Sequence, residues 1–168
     1  MFRIKLLILL LTSFFILSCT NNQNSDYKQK YSLAYIGGEY DGLILKNYLL
    51  SGLKNLDVYD QNSNIEINAS ISHNTNLYIT NIDNTSDREK ISTKLTVQII
   101  NTKLNCDLFK DEINISQFYV YASSDKFLSN QTAVKKIKKD NTESAVKYFI
   151  NKLKNVDIKC DEKPSIIN

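Results

Sequence analysis

Between Ile91 and Ile99 the chain alternates without a fault. Ile91, Thr93, Leu95, Val97 and Ile99 fall on one side, and Ser92, Lys94, Thr96 and Gln98 on the other. Successive side chains of a strand point to opposite faces, so this is a strand with one apolar and one wet face. Antiparallel sheets solvated on one side are built from such strands. The apolar side then needs a cover, and that requirement constrains every other element.

Tyr31 to Ile36 is aromatic and β-branched and reads as a strand, broken by Gly37 and Gly38. Asp41 is placed to cap a helix whose stripe is Leu45, Tyr48, Leu49, Gly52, Leu53 and Leu56, with Gly52 allowing close approach to a sheet. Ile65, Ile67, Ala69 and Ile71 alternate as a second strand, with a break expected at His73 and Asn74 and a continuation through Leu77 and Ile79. A hairpin region over 101–110 contains Cys106, and a strand opens at Ile113 and runs through Tyr121. Its apolar residues change parity at Phe118 and Val120, which calls for a bulge near Gln117 or for cover on both faces. The C-terminal pattern is helical but divided. Ala133, Val134 and Ile137 form one stripe and Val146, Phe149, Ile150 and Leu153 another, and the nine residues from Ile137 to Val146 set the two on opposite sides of a straight helix. Asp140 with Glu143 resembles a capping box, so a break is expected there. The order implies an α+β fold, a two-layer sandwich of a mainly antiparallel four-stranded sheet with two helices packed on one face.

The ends of the chain belong to other chemistry. Arg3 and Lys5 precede an apolar run from Leu6 to Leu17, the length of a signal-peptide core and too short to span a bilayer. Ile16-Leu17-Ser18-Cys19 resembles the bacterial lipobox, which implies cleavage, acylation of Cys19 and a lipid-held N-terminus. Thr20 stands where an Asp would resemble the inner-membrane retention signal, so the outer membrane, on its periplasmic side, is the expected place. The expected organisation is a signal peptide at 1–18, a lipidated polar tether at 19–30, one domain at 31–156 and a tail at 157–168. In an oxidising compartment the remaining Cys106 and Cys160 are candidates for a disulfide, with two unpaired thiols as the alternative.

Cutting the leader removes two of the charges behind the formal net charge of +3 and no acid. A near-neutral domain argues against nucleic acid as a partner. The single histidine, His73, excludes a multi-histidine metal site and reads as an exposed turn residue; no nucleophile elbow, phosphate-cradling glycine loop or Cys-x-x-Cys accompanies it. No cofactor, metal or enzymatic activity is expected. Two basic groups stand out: Arg88, Lys90 and Lys94 along the strongest strand, and Lys135, Lys136, Lys138 and Lys139 on the helix. Such groups are most often solvated faces; the sharper reading is that Arg88, Lys90 and Lys94 contact the phosphates of a glycolipid.

The lipobox, the segment LKNYLLSGLKNL, the stretch NTSDREKISTKLTVQIIN with its basic residues ahead of alternating apolars, and the strand FYVYASS leading into FLSNQTAVKKIKKDNTESAVKYFINKL together resemble the LptE family of outer-membrane lipoproteins in lipopolysaccharide assembly. The interruption DNT departs from the single long helix of that family. The resemblance implies a non-enzymatic lipoprotein that supports and plugs an LptD-like β-barrel and binds lipopolysaccharide. The rivals are a free-standing periplasmic lipid carrier, which needs a deep apolar pocket, a pilotin-like adaptor, and a lipoprotein hydrolase. Cys19→Ala is expected to leave the protein soluble. Membrane fractionation reads this, and wild-type amounts of the variant in outer membranes lacking the barrel would exclude the anchor.

Overall fold

The computed structural model describes residues 29–79, 87–120, 127–155 and 160. The leader, Cys19, most of the tether and all of the tail except Cys160 lie outside them. The elements are β1 (Ser32–Gly37), α1 (Glu39–Asn55), β2 (Ile65–Ile79), β3 (Asp87–Asn101), β4 (Cys106–Val120) and α2 (Phe127–Leu153). The strands lie in the order β1-β2-β3-β4, with β1 parallel to β2 and the other pairs antiparallel. A parallel pair needs a crossover, and α1 supplies it. Both helices cover the same sheet face, which gives the expected α+β sandwich.

The core follows the parities read from the sequence. Leu45, Leu49 and Leu53 of α1 are fully buried and meet Ile67 of β2, Leu95, Val97 and Ile99 of β3, and Phe149 of α2 in one cluster. The helices touch closely at Gly52: a Cβ there would lie 2.9 Å from Ile150 Cγ1, so the glycine serves helix–helix contact and not approach to the sheet. Asp41 is not the cap. α1 begins one turn earlier, after Gly38, whose φ of 118° and whose distance from Ile71 (2.8 Å from an added Cβ to Cγ2 and to the carbonyl oxygen) admit only glycine.

Three other expectations give way to pairing and packing. β2 does not break at His73: it pairs with β3 rung by rung from Ile65 opposite Asn101 to Ile79 opposite Asp87, and His73 sits opposite Thr93. The ladder satisfies the backbone whatever the side chains' turn preference. β4 has no bulge near Gln117. Its register slips instead at Leu108, between the pairs Ile99–Phe109 and Ile100–Asp107, and this lets both Leu108 and Phe109 pack against the core. Phe118 and Val120 are not covered either; they stand on the open face, 62% and 61% exposed.

α2 runs unbroken for 27 residues, about 40 Å. Its buried line passes through Asn141 and Thr142, with Ile137 half-buried at the flank. Asn141 Nδ2 donates to the Ile91 carbonyl at 3.3 Å and Thr142 Oγ1 to the Lys138 carbonyl at 2.8 Å. Two polar residues therefore carry the inward stripe where an apolar count sees a gap. Lys152 near the C-terminus of α2 pairs with Asp111 of β4 at 2.8 Å and locks the helix to the sheet.

Cys106 and Cys160 are joined by a disulfide, Cα to Cα 5.8 Å, which ties this point of the tail to the start of β4. Closing a separation of 54 residues stabilises the fold by about 2 to 4 kcal/mol. Leu95→Ala or Phe149→Ala is expected to cost about 2 to 5 kcal/mol by denaturant unfolding, since each leaves a cavity in the shared cluster. Thr96→Ala on the open face should cost well under 1 kcal/mol; equal losses would mean that the register is wrong.

Candidate functional site

Even-numbered residues of β3 point away from the helices, and with them go Arg88, Lys90 and Lys94. Neighbouring strands present Asn68, Ser70, Ser72 and Asn74 on one side and Asn114 and Ser116 on the other, so this face is a broad polar surface of amides and hydroxyls. Arg88 and Lys90 stand together at its upper end. Arg88 is opposite Val120, and the Lys90 ammonium lies 6.0 Å from the centroid of the Phe118 ring. Lys94 is about 20 Å down the strand from Arg88 and is not an open cation: its Nζ is 2.6 Å from Glu112 Oε2. Hydrogen bonds from Lys94 and Asn114 hold the Glu112 carboxyl below its usual range. The three expected glycolipid contacts therefore divide into a cationic pair with an aromatic neighbour and a neutralised ion pair.

At the lower end of the open face lies a groove of about 880 Å³, lined by Asn68, Gln98, Thr102, Leu104 and Asp107 with the Cys106–Cys160 bridge. It is open to solvent, with Ile100 and Leu104 set among amides and the Asp107 carboxylate. A second cavity of about 490 Å³ lies on the helix side, between Glu89 of β3 and Phe127, Val134, Lys135 and Lys138 of α2. It places part of the second basic cluster beside apolar side chains, while Lys136 and Lys139 point to solvent.

His73 is where the sequence reading misses most. It is not an exposed turn residue: its side chain is 3% exposed, between the sheet and the helices. Nδ1 is 2.7 Å from Thr93 Oγ1, and Nε2 faces Asp41 Oδ2 at 3.6 Å, too long for a hydrogen bond. Among the described residues, His73 Nε2 and Asn141 Oδ1 are buried without a hydrogen-bond partner. Acid, imidazole and hydroxyl thus stand in the order of a hydrolytic triad. Thr93, however, is 1% exposed, so no substrate carbonyl reaches its oxygen, and the geometry that catalysis demands is missing. The available sequence signal was parity, since 73 continues the inward series 67, 69 and 71.

The architecture is that of a small α+β sandwich with one covered and one open sheet face. Solved proteins with the same fold include bacterial lipoproteins. The minor lipoprotein from Acinetobacter baumannii aligns with a TM-score of 0.59 at 13% identity, covering 80% of this chain and 97% of that one. Rare lipoprotein B from Shewanella oneidensis aligns at 0.59 and 11% identity over 76% and 95% of the two chains. Lipoprotein B from Nitrosomonas europaea aligns at 0.55 and 10% over 75% and 82%. At such identities the likeness establishes the fold. No family model and no curated protein matches the sequence.

Burial lowers the His73 pKa below its ordinary 6.5, against an opposing pull from Asp41 and with help from Lys138. The unfolded chain then binds the proton first, so stability is full above about pH 6.5 and falls as pH drops from there towards the folded-state pKa. His73→Gln is expected to flatten that part of the stability–pH curve. Urea titrations between pH 5 and 7.5 read the slope, and an unchanged slope would assign it to other groups.

Proposed function

We propose that the chain is a lipid-anchored outer-membrane lipoprotein of the LptE type, which supports and plugs an LptD-like β-barrel in lipopolysaccharide delivery and performs no catalysis. The observation that carries this reading is the open face of the sheet, broad, polar and nearly charge-balanced. A polar barrel lumen is lined by groups that such a face can meet through hydrogen bonds and water. The lipobox at Cys19 supports a membrane anchor, and the fold shared with bacterial lipoproteins is consistent with one. The sealed Asp41–His73–Thr93 line favours a binding role over hydrolysis.

A lipid carrier is disfavoured by these cavities, which open to solvent and carry amides and charges on their rims instead of enclosing a deep pocket. Lipopolysaccharide phosphates would meet Arg88 and Lys90 before Lys94, because Glu112 already neutralises the latter. Purification from detergent-solubilised membranes is expected to bring out an outer-membrane barrel with the protein; recovery of the protein alone with lipid would favour the carrier. Arg88→Glu with Lys90→Glu should weaken lipopolysaccharide binding several-fold at low salt, more than Lys94→Gln does, and the difference should shrink as salt rises. Equal binding by all three proteins across the salt series would remove this face as the glycolipid site.

A further inference from the structure

The chain enters the domain at the same end as the hairpin between β3 and β4, since Ser32 lies beside Glu66 and Ile65 opposite Asn101. It is fastened there. Tyr31 N–H donates to the Val58 carbonyl at 2.7 Å, the Tyr31 carbonyl accepts from Asp60 N–H at 2.9 Å, and Ser63 Oγ donates to the Lys30 carbonyl at 2.6 Å. The same loop holds the hairpin: Thr102 donates to the Asn64 carbonyl from its N–H at 2.9 Å and from Oγ1 at 3.0 Å. Leu104 N–H donates to Asn101 Oδ1 at 3.0 Å, and Asn105, at a φ of 49°, completes the turn. The root of the tether and the hairpin tip thus form one hydrogen-bonded unit.

All four residues of the turn, Thr102 to Asn105, are exposed, and Leu104 is 64% exposed near the half-buried Ile100. A single exposed leucine means little by itself. Its position gives it meaning, because the tether decides which parts of the domain a membrane can reach. From Cys19 to Gln29 the chain advances ten residues, at most about 36 Å at full extension. The fifteen-residue strands β2 and β3 carry the far end, with Arg88 and Lys90, about 50 Å from the root. With a lipid on Cys19, the tether is too short for the domain to stand on that far end. Laid on its open face, the domain would press amides and hydroxyls that already have water against the bilayer. Stood on the near end, it presents a leucine to the acyl boundary and lysines to the phosphates: Lys103 on the tip, and the exposed Lys54 and Lys154 where α1 and α2 finish. The acids of this end are engaged, Asp57 with Lys30 at 3.3 Å, Asp60 Oδ1 with Asn62 N–H at 2.9 Å and Asp107 with Gln98 Nε2 at 2.9 Å.

We propose that the hairpin tip at Lys103 and Leu104 docks on the phospholipid leaflet that holds the N-terminal lipid, with Leu104 in the interface and Lys103 at anionic headgroups. The inference rests on the lipid-anchor part of the reading above and not on the barrel. It orients the domain and holds Arg88 and Lys90 away from the bilayer.

The chain contains no tryptophan, so Leu104→Trp and Val120→Trp each supply a single reporter, one at the near end and one at the far end. The full lipidated variants are placed in vesicles of phosphatidylethanolamine and phosphatidylglycerol containing phosphatidylcholine brominated near the headgroup, and flotation checks that they are bound. Leu104→Trp is expected to lose about half its emission or more and to shift to the blue, as a side chain in the interface does. Val120→Trp, with the same intrinsic liking for the interface, is expected to keep its emission. Adding Lys103→Glu to Leu104→Trp should reduce the quenching, most at low salt. A floating Leu104→Trp protein with unquenched emission, equal quenching at both positions, or quenching indifferent to Lys103→Glu would overturn the docking and leave the anchor in place. Failure to float would remove the anchor, and the proposal with it.

Discussion

Everything in this molecule hangs on the antiparallel ladder between β2 and β3. It is paired continuously from Ile65–Asn101 to Ile79–Asp87, and because side chains alternate with a period of two, it assigns a face to every residue of both strands. A slip of one residue would send Leu95, Val97 and Ile99 to solvent and Lys94 and Gln98 into the core. β1 and β4 inherit their faces from the ladder, and the helices have one apolar surface on which to settle.

The ladder is also longer than its cover. A fifteen-residue strand extends about 50 Å and the seventeen-residue α1 about 25 Å. The core is correspondingly apolar where both helices lie over the sheet and polar where α1 begins. His73, Thr93 and Asn141 gather near Asp41 at that boundary, and Tyr119 of β4 hydrogen-bonds Asn130 of α2 further along. Burial without full hydrogen bonding is costly, and here it falls on an imidazole whose pKa burial pushes below its ordinary value. The loss of stability expected in acid would then follow from the unequal lengths of strand and helix.

The proposed role rests on the open face of the sheet. The face is polar and its lower cation is already paired, so the binding proposed for it would depend on many weak contacts and on Arg88 and Lys90. Such a role requires no active site, and the triad-like line of Asp41, His73 and Thr93 is shut inside the sandwich.

Periodicity in the sequence was enough for the order and type of the elements, the apolar faces of α1 and β3, and the α+β layering, because those depend on patterns within single segments. The same holds for the placement of Lys90 and Lys94 on the wet face. Only the tertiary structure decided what His73 does, since an Asn-rich stretch looks like a turn until a neighbouring strand pairs with it. It also decided that Asn141 and Thr142 lie inside a continuous α2, because a partner carbonyl from Ile91 and one helical turn's own carbonyl accept their donors. The pairing of Lys94 with Glu112 and the exposure of Phe118 are likewise cross-strand facts. Local pattern fixes which way a side chain points; what it meets there depends on residues far away in the chain.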